Sequence, residues 1–359
     1  MPSSTSSSDF VRAIPKLPWR GITVILVVFV FAAATVWEIH VRSIGYGPTL
    51  NPTDDLWAQA RRAVQPESVV IIGDSRGWFD LDLDELEKGL GKRPVQLAMG
   101  GGCAYPMLAD LVNDERFHGT IICSFTPRLF FAPPGSPPME RAEKVVRRYH
   151  TETWAQRASQ YLAMPLEEHV AFLKQEDLST EGLLRDLQIP DRPYAQVQPR
   201  LPPYFGSIDR ERRARMIERC AQPGELQSRI QHRWVRLFTP PPPPSFIPID
   251  AFMAAMKKAQ EDRFIDTMKA VKKLRARGGN IVFVRLPVSG ELKTLEDRMT
   301  PRTQLWEPLL KRTVVTGIYF EDFPELAGFT CPEWSHLSAG DSVEFSKRLV
   351  PHLRTALQL

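Results

Sequence analysis

The stretch Ser-Val-Val-Ile-Ile-Gly-Asp-Ser-Arg, residues 68–76, decides the fold of this chain. Residues 68–73 form a short apolar run rich in β-branched side chains, which is typical of a strand buried on both faces. Strands of that kind belong to parallel sheets, in which ligand sites lie at the carboxyl ends of the strands. We therefore expect Ser75 on the first strand-to-helix turn, exposed at the edge of the sheet.

Strands and helices alternate along most of the remaining chain. Apolar runs predict strands at 94–99, 120–125, 280–286 and 317–323, and helical spacing predicts helices at 82–90, 106–112, 251–277 and 337–357. Alternation of this kind indicates a parallel sheet covered by helices on both faces.

Residues 132–248 break this alternation. They combine polar helical stretches with proline-rich links, and they include five consecutive prolines at 240–244. A proline run forms a stiff extended segment, and we interpret it as a structural spacer, with a polyproline ligand motif as the alternative. The segment is predicted to be a largely helical insertion, which leaves residues 67–131 and 249–359 to form the α/β domain.

An uncharged run of 17 residues, rich in Val, Ile, Phe and Ala, starts at Gly21. A membrane-spanning helix needs about 20 apolar residues, with about 17 as the lower limit. Positive charge is denser before the run than after it, so the positive-inside bias places the N-terminus in the cytoplasm. This predicts a cytoplasmic tail at 1–20, a membrane anchor at 21–38 and a linker at 39–66.

Two other interpretations of the run remain open. Ala32-Ala33-Ala34 suits the cleavage site of a signal peptide. A buried core helix has a similar composition. An anchor and a signal peptide both place the main domain outside the cytoplasm, which in a bacterial envelope means the periplasm.

Composition excludes several classes of protein. Of 359 residues, 46 are Lys or Arg and 42 are Asp or Glu, a net charge of +4 that is too small and too evenly spread for a nucleic-acid partner. A charged fraction of 25% is the ordinary globular value and argues against a disordered chain. Cys103, Cys123, Cys220 and Cys331 lack zinc-ligand spacing, so we expect no metal and no cofactor, and their disulfide pairing stays open.

A second informative stretch, Cys331-Pro332-Glu333-Trp334-Ser335-His336-Leu337, lies just before the last predicted helix. A serine hydroxyl is a weak nucleophile unless a base accepts its proton. His336 suits that role, and Glu333, three residues earlier, suits a hydrogen bond to the other ring nitrogen that fixes the tautomer. Gly100-Gly101-Gly102 follows the second strand, and backbone N–H groups of such a turn can stabilise a tetrahedral oxyanion.

Together these stretches resemble the SGNH/GDSL hydrolase superfamily over most of residues 66–358, the insertion excluded. The resemblance implies a flavodoxin-like three-layer α/β fold with a parallel sheet of about five strands. It implies Ser75 as the nucleophile, with His336 as the base and Glu333 as the acid. It also implies an oxyanion hole at Ser75 and Gly101, with Gly100 one residue away.

Two features depart from the pattern of the superfamily. The acid is Glu where the superfamily has Asp, which makes Asp322 on the last predicted strand an alternative. The turn after the third strand is Phe125-Thr126-Pro127-Arg128, where the superfamily supplies an oxyanion-hole Asn. Either Thr126 or Arg128 substitutes for that Asn, or the hole has only backbone donors. Loss of one oxyanion donor typically costs about 100- to 1000-fold in turnover.

Each candidate catalytic residue also has a purely structural interpretation. Ser75 suits a helix N-cap. The triple glycine suits a tight turn. His336 suits a local hydrogen bond, and Glu333 suits a solvated loop carboxylate.

Side chains near the strand ends are candidates for binding a substrate, namely Arg76, Trp78, Thr126 and Arg128. The two arginines suit an anionic substrate, with surface salt bridges as the alternative. Trp78, close to Ser75, suits an acyl or sugar site.

The resemblance and the compartment together lead to a functional hypothesis. Bacterial members of the superfamily with a single N-terminal span often resemble proteins that add or remove O-acetyl groups on cell-surface polysaccharides. We therefore expect a membrane-anchored, extracytoplasmic serine esterase or O-acyltransferase that acts on such an acyl ester, with envelope proteins as partners. The alternative is a catalytically weak or inactive domain that binds glycan or scaffolds a cell-envelope assembly, which the missing Asn favours.

Overall fold

The computed structural model describes residues 17–174, 178, 180, 184, 202–240, 243 and 245–359. The chain divides into two compact units, Met1–Tyr46 and Gly47–Leu359. Most of the predicted tail, part of the predicted insertion and most of the proline run lie outside the described residues.

The N-terminal unit contains one long helix, α1 (Trp19–Ser43). It is long and apolar enough to cross a membrane, and a signal sequence near an N-terminus has the same properties. The helix extends beyond both ends of the predicted span at 21–38, because backbone hydrogen bonds continue past the apolar run. Arg42 Nε donates to Glu38 Oε1 at 2.6 Å in its last turns.

The second unit is built on a five-stranded parallel sheet in the order β2-β1-β3-β6-β7. The strands are β1 (Val69–Ile72), β2 (Val95–Gln96), β3 (Thr120–Ser124), β4 (Gly206–Ile208), β5 (Ala214–Met216), β6 (Asn280–Arg285) and β7 (Gly317–Tyr319). β4 and β5 form a separate antiparallel hairpin. Along the chain the sheet order is 2-1-3-4-5, the flavodoxin-like arrangement, so the predicted fold class is confirmed.

Helices connect the strands and fill the described part of the predicted insertion. The helices of the second unit are α2 (Asp54–Ala63), α3 (Ser75–Phe79), α4 (Leu83–Leu90), α5 (Ala104–Asn113), α6 (Pro127–Phe130), α7 (Pro137–Thr151), α8 (Trp154–Glu167), α9 (Glu218–Ala221), α10 (Glu225–Phe238), α11 (Ile249–Arg275), α12 (Gly290–Met299), α13 (Arg302–Thr313), α14 (Pro324–Ala327) and α15 (Ala339–Leu357). Between 132 and 248 the described chain is largely helical, and the β4–β5 hairpin is an addition to the predicted pattern.

The helices cover both faces of the sheet. α4 packs on α15, which contacts β6 and β7. α5 contacts β1 and packs on α11, which contacts β6 and α13. The strand order reverses at β1, because β2 lies on one side of it and β3, β6 and β7 lie on the other. Since crossovers are right-handed, the β1-to-β2 connection therefore lies on one face of the sheet and the connections between the later strands lie on the opposite face. Ligands bind such sheets at the carboxyl ends of the strands where this reversal occurs, here between β1 and β3.

β2 and β7 are shorter than predicted. Past β2 the chain still runs beside β1, since Leu97 N donates to Ile71 O at 2.8 Å, but it leaves the regular ladder. β7 ends at Tyr319, because Phe320–Asp322 forms one turn of 3₁₀ helix. The apolar runs of the sequence are therefore longer than the strands that they contain.

Glycine brings the first strand-to-helix turn close to β3. Gly73 has φ +133°, and a Cβ built there would lie 2.7 Å from Ser124 Cβ. A Cβ on Gly77, in α3, would lie 2.6 Å from the same atom. Only residues without a side chain allow α3 to begin this close to β3, and Ser75 lies between these two glycines.

Gly73→Ala is expected to lower the free energy of unfolding by about 3 kcal/mol, because it combines an unfavourable backbone conformation with an overlap with Ser124. Chemical denaturation of the full chain in detergent measures this loss. Gly91→Ala is the matched control, because Gly91 also has a positive φ, +73°, but nothing lies within 4 Å of its Cβ position. The control is expected to cost about 1 kcal/mol. Equal losses for the two variants would contradict the close approach at Ser124.

Candidate active site at the carboxyl edge of the sheet

Ser75 is the first residue of α3, directly after the turn that follows β1. The N-cap is Asp74, whose carboxylate accepts a hydrogen bond from Arg76 N at 2.9 Å. Ser124 Oγ lies 3.4 Å from the same carboxylate oxygen, which connects the turn to β3. The capping role considered for Ser75 is therefore filled by its neighbour, and the Ser75 side chain is half-buried.

His336 and Glu333 form a buried pair. Glu333 Oε1 lies 2.9 Å from His336 Nδ1, and neither side chain is exposed to solvent. A carboxylate only accepts hydrogen bonds, so Nδ1 carries the proton. The other ring nitrogen, Nε2, has no hydrogen-bond partner among the described residues, Ser75 included. The imidazole therefore has the tautomer that a general base needs.

The carboxylate of Glu333 accepts hydrogen bonds from more than the imidazole. Oε1 also accepts from the backbone N–H groups of Ser335 and His336, at 3.2 and 2.5 Å. Oε2 accepts from the indole nitrogen of Trp234 on α10. A buried carboxylate without such donors is costly. These bonds explain how Glu333 lies in the interior, which differs from the solvated loop carboxylate considered as its structural alternative.

The loop that carries the pair has an uncommon backbone conformation. Trp334 has φ +78°, which is rare for a bulky residue. Its carbonyl accepts from Ser289 N at 2.9 Å, and Ser289 Oγ accepts from Cys331 N at 2.9 Å. A Cβ on Gly290 would lie 2.4 Å from the Trp334 indole nitrogen. The connection from β6 to α12 thus holds the loop in the conformation that aligns the buried pair.

α3 packs directly against this loop. The ring centroids of Phe79 and His336 lie 4.8 Å apart. Arg76 Nε lies 3.4 Å from Ser335 Oγ. Ser75 precedes Phe79 by four residues and therefore shares its helix face. These contacts bring the Ser75 turn and His336 to the same part of the sheet edge.

The glycine turn after β2 lies beside β1. Met99 N donates to Gly73 O at 3.1 Å at the start of this turn. Gly101 has φ +60°, and a Cβ there would lie 2.6 Å from Arg141 Nη1. The positive φ favours glycine at this position, and three consecutive glycines leave the turn without side chains.

Trp78 is buried between the glycine turn and the β4–β5 hairpin. Its ring lies 3.6 Å from the Cβ position of Gly100, and its Nε1 donates to the carbonyl of Arg212. Arg212 donates to the carbonyls of Gln96 and Ala98, at 3.0 and 3.2 Å. Burial lowers the pKa of the Arg212 guanidinium to about 9. Both side chains support the turn, and Trp78 is only 6% exposed.

Arg76 is a buried cation with a buried partner. Its guanidinium binds both oxygens of Glu296, at 2.5 and 3.1 Å, and Glu296 also pairs with Arg285. Burial raises the pKa of Glu296, but attraction to the two arginines outweighs burial, and the pKa falls to about 2. Arg76 thus joins α3 to α12, and this pairing differs from the exposed substrate ligand or surface salt bridge expected from the sequence.

Thr126 follows β3, as Ser75 follows the neighbouring strand β1. Ile72 of β1 pairs with Cys123 of β3, and Ser75 and Thr126 each follow three residues later. Thr126 Oγ1 is buried and has no hydrogen-bond partner in the part of the chain that the structure describes. One hydroxyl donor after β3 therefore has no partner among the described residues.

Arg128 and Asp322 have other partners. Arg128 is half-buried and donates to the carbonyl of Phe238 on α10, and burial lowers the pKa of its guanidinium. Asp322 binds Arg302 through both oxygens, at 2.5 and 2.8 Å. The carboxylate that meets His336 is that of Glu333, not that of Asp322.

Sequence reasoning missed the contribution of the predicted insertion to this site. Trp234 donates to Glu333, and its ring lies 5.5 Å from that of His336 in an edge-to-face arrangement. Phe205, just before β4, stacks on the same imidazole at 5.6 Å. The local pattern around either aromatic residue gives no signal, because their partners lie far along the chain.

The four cysteines are buried and free, so no disulfide joins them. Burial raises the pKa of the Cys103 thiol to about 11, which keeps it protonated at neutral pH. Within the described ranges, no group of three or more His, Cys, Asp or Glu side chains is arranged to hold a metal ion.

No family model matches the chain, and no curated protein matches it. Among solved structures, the chain is similar to a carbohydrate acetylesterase family member from Sinorhizobium meliloti, with 11% identity. The alignment covers 82% of this chain and 100% of that chain, with a TM-score of 0.31. A TM-score this low adds no support to an assignment of fold or function.

Glu296→Gln is expected to lower the free energy of unfolding by about 3–5 kcal/mol at neutral pH, because it leaves two buried arginines without a compensating charge. The depressed pKa of Glu296 also sets a pH window. Its stabilisation is complete above the ordinary value of 4.5 and is lost as the pH falls from there towards about 2. Denaturant unfolding measured as a function of pH tests both statements.

Glu344→Gln is the matched control for that experiment, since Glu344 pairs with Arg348 at 2.7 Å on the exposed face of α15. We expect this variant to leave the free energy of unfolding nearly unchanged. A loss at Glu296→Gln no larger than that of the control would show that the buried ion pairs contribute little.

Proposed function

We propose that this chain is a serine esterase or O-acyltransferase that acts on an acyl ester through Ser75, His336 and Glu333. One observation supports this most directly. Nδ1 of the buried His336 is paired with Glu333 at 2.9 Å, whereas Nε2 has no partner within the described chain. Buried polar atoms are normally hydrogen-bonded. A ring nitrogen without a partner among the described residues, on a loop packed against the helix that begins at Ser75, suits general-base catalysis.

The proposed reaction begins when His336 Nε2 accepts the Ser75 hydroxyl proton while Oγ attacks the ester carbonyl carbon. Glu333 stabilises the imidazolium that forms. The tetrahedral intermediate then collapses, and His336 returns the proton to the departing alcohol. Water or a sugar hydroxyl attacks the acyl-enzyme, again with His336 as the base, and Ser75 is restored.

The oxyanion of this intermediate would be held by the N–H groups of Ser75 and Gly101, with Gly100 one residue away. The turn that carries the two glycines begins beside β1, and a side chain is disfavoured at Gly101. Thr126 Oγ1 is the proposed third donor, because it is buried, unpartnered among the described residues and follows the strand that pairs with β1. A hydroxyl donates one hydrogen bond, which is sufficient for this role.

We further propose that helix α1 anchors the chain in a membrane, with the N-terminus in the cytoplasm and the second unit in the periplasm. The length and composition of α1 support the anchor, and the charge bias of the sequence supports the orientation. The compartment and the resemblance to the SGNH/GDSL superfamily suggest O-acetyl groups of a cell-surface polysaccharide as the substrate. Envelope proteins are the proposed partners.

A second candidate function is a catalytically weak or inactive domain that binds glycan or scaffolds an envelope assembly. The turn Phe125-Thr126-Pro127-Arg128, which lacks the oxyanion-hole Asn, favours it. The burial of His336 and Glu333 favours catalysis instead, together with a ring nitrogen of His336 that has no partner among the described residues, since a binding module does not need such a base.

A fluorophosphonate probe is expected to label the folded full chain in detergent at Ser75. Ser75→Ala should abolish labelling at that position, and His336→Ala should slow labelling by about 100-fold or more, because the hydroxyl loses its base. Mass spectrometry of the labelled peptide and the second-order labelling rate are the measurements.

His352→Ala serves as the control, since His352 Nε2 also meets a glutamate, Glu325, at 2.7 Å, but away from the proposed triad. Its labelling rate should equal that of the wild type. A folded wild-type chain that is not labelled would contradict the esterase proposal and favour the binding function.

The proposed topology predicts that alkaline phosphatase fused after Leu359 is active in a bacterial host, because this reporter matures only outside the cytoplasm. A green fluorescent protein fused at the same point and exported by the same secretion route should not fluoresce. Fluorescence of that fusion together with an inactive phosphatase fusion would reverse the assigned orientation.

A further inference from the structure

Helix α10 lies across the loop that carries the buried pair. Gln231 Nε2 donates to the carbonyl of Pro332 at 2.8 Å. Trp234 Nε1 donates to Glu333 Oε2. Residues three apart lie on one face of a helix, so a single face of α10 makes two hydrogen bonds to consecutive residues of the loop.

Three aromatic rings surround the imidazole of His336. The centroid of Phe79 lies 4.8 Å away, that of Trp234 lies 5.5 Å away and that of Phe205 lies 5.6 Å away. Phe205 also stacks on Phe79 at 5.1 Å. These rings exclude water from the sides of the imidazole, and they come from two parts of the chain, α3 and the segment between 202 and 238.

We infer that Trp234 is a positioning residue of the proposed reaction, which acts on His336 through the carboxylate of Glu333. This inference rests on the proposed function and deepens it. It makes the segment 202–238 a part of the catalytic machinery and not an accessory insertion.

Trp234 is assigned this positioning role because of how the hydrogen-bond donors are divided between the two oxygens of the Glu333 carboxylate. Oε1 accepts from His336 Nδ1 and from two backbone N–H groups. Oε2 accepts from Trp234. Removing the indole N–H leaves a buried, charged oxygen without this donor, which is costly. The carboxylate then gains freedom to rotate, and the orientation and tautomer of the imidazole become less well defined.

Other buried indoles in the chain have a different role. Trp57 Nε1 donates to the carbonyl of Leu97 at 2.8 Å, and Trp78 Nε1 donates to the carbonyl of Arg212. Both satisfy a backbone acceptor. Trp234 donates to the carboxylate that orients the proposed base, so its N–H affects the position of the base as well as the packing of α10.

Trp234→Phe is the test variant, because it keeps an aromatic ring and removes the N–H donor. The full chain in detergent is treated with a fluorophosphonate probe, and the labelling rate of Ser75 is expected to fall about tenfold or more. Trp57→Phe is the matched control, since it removes a buried indole hydrogen bond from the same unit, but one that goes to a backbone carbonyl. The control should lose stability without a change in the labelling rate of the folded protein.

A spectroscopic measurement separates positioning from a loss of folded protein. In protein labelled with ¹⁵N-histidine, the Nδ1–H resonance of His336 is assigned with His336→Ala. Trp234→Phe should shift this resonance and speed its exchange with water, whereas Trp57→Phe should leave it in place. An unchanged resonance in Trp234→Phe would overturn the inference.

Gln231→Leu is a second variant for the case that Trp234→Phe does not fold. Gln231 is half-buried, and its loss removes one of the two bonds between α10 and the loop. We expect a reduction of a few-fold in the labelling rate, and a rate equal to the wild type would count against the inference.

Wild-type protein that is not labelled at all would overturn the proposed function and this inference with it. Labelling that is equal in the wild type and in Trp234→Phe would overturn only the inference.

Discussion

The carboxylate of Glu333 has no contact with solvent, and the parts of the candidate site meet at its two oxygens. It accepts from the loop backbone, from the imidazole of His336 and from the indole of Trp234. A buried charge is stable only where donors surround it. The fold therefore has to bring α10 and the loop before α15 together, because both supply donors to this carboxylate.

A second set of buried charges connects the same region to the sheet. Arg76 on α3, Arg285 on β6 and Glu296 on α12 form one cluster, in which the depressed pKa of Glu296 shows the attraction of the arginines. Asp80 at the end of α3 accepts from Leu337 N at 2.8 Å, and burial raises its pKa well above the usual range. These contacts fix α3, whose first residue is Ser75, relative to the loop.

The sequence was informative where the chemistry is local. The strand before Gly73, the glycine turn after β2 and the three-residue spacing of Glu333 and His336 are properties of short segments. The alternation of strands and helices predicts the parallel sheet, whereas the strand order was only implied by the resemblance. The ends of β2 and β7 were not predictable, because an apolar run continues after the ladder hydrogen bonds stop. The roles of the site residues stay predictions.

Long-range partners could not be found from one sequence. Arg76 was interpreted as an exposed cation, because its partner Glu296 lies 220 residues away. Trp234 lies 99 residues from Glu333, in a segment that broke the alternating pattern. A helix in such a segment shows its function only through the surface on which it packs. The same limit applies to Thr126, because only the folded chain shows that its hydroxyl has no hydrogen-bond partner among the described residues.

A crystal structure of the chain after reaction with a fluorophosphonate tests the central claim most directly. We expect phosphorus bonded to Ser75 Oγ, with the phosphoryl oxygen facing the N–H groups of Ser75 and Gly101. We also expect His336 Nε2 within hydrogen-bond distance of Ser75 Oγ, with the Glu333 contact retained. An adduct on another residue, or an imidazole that stays out of reach of Ser75, would contradict the assignment of this pair as the base and acid of a serine esterase.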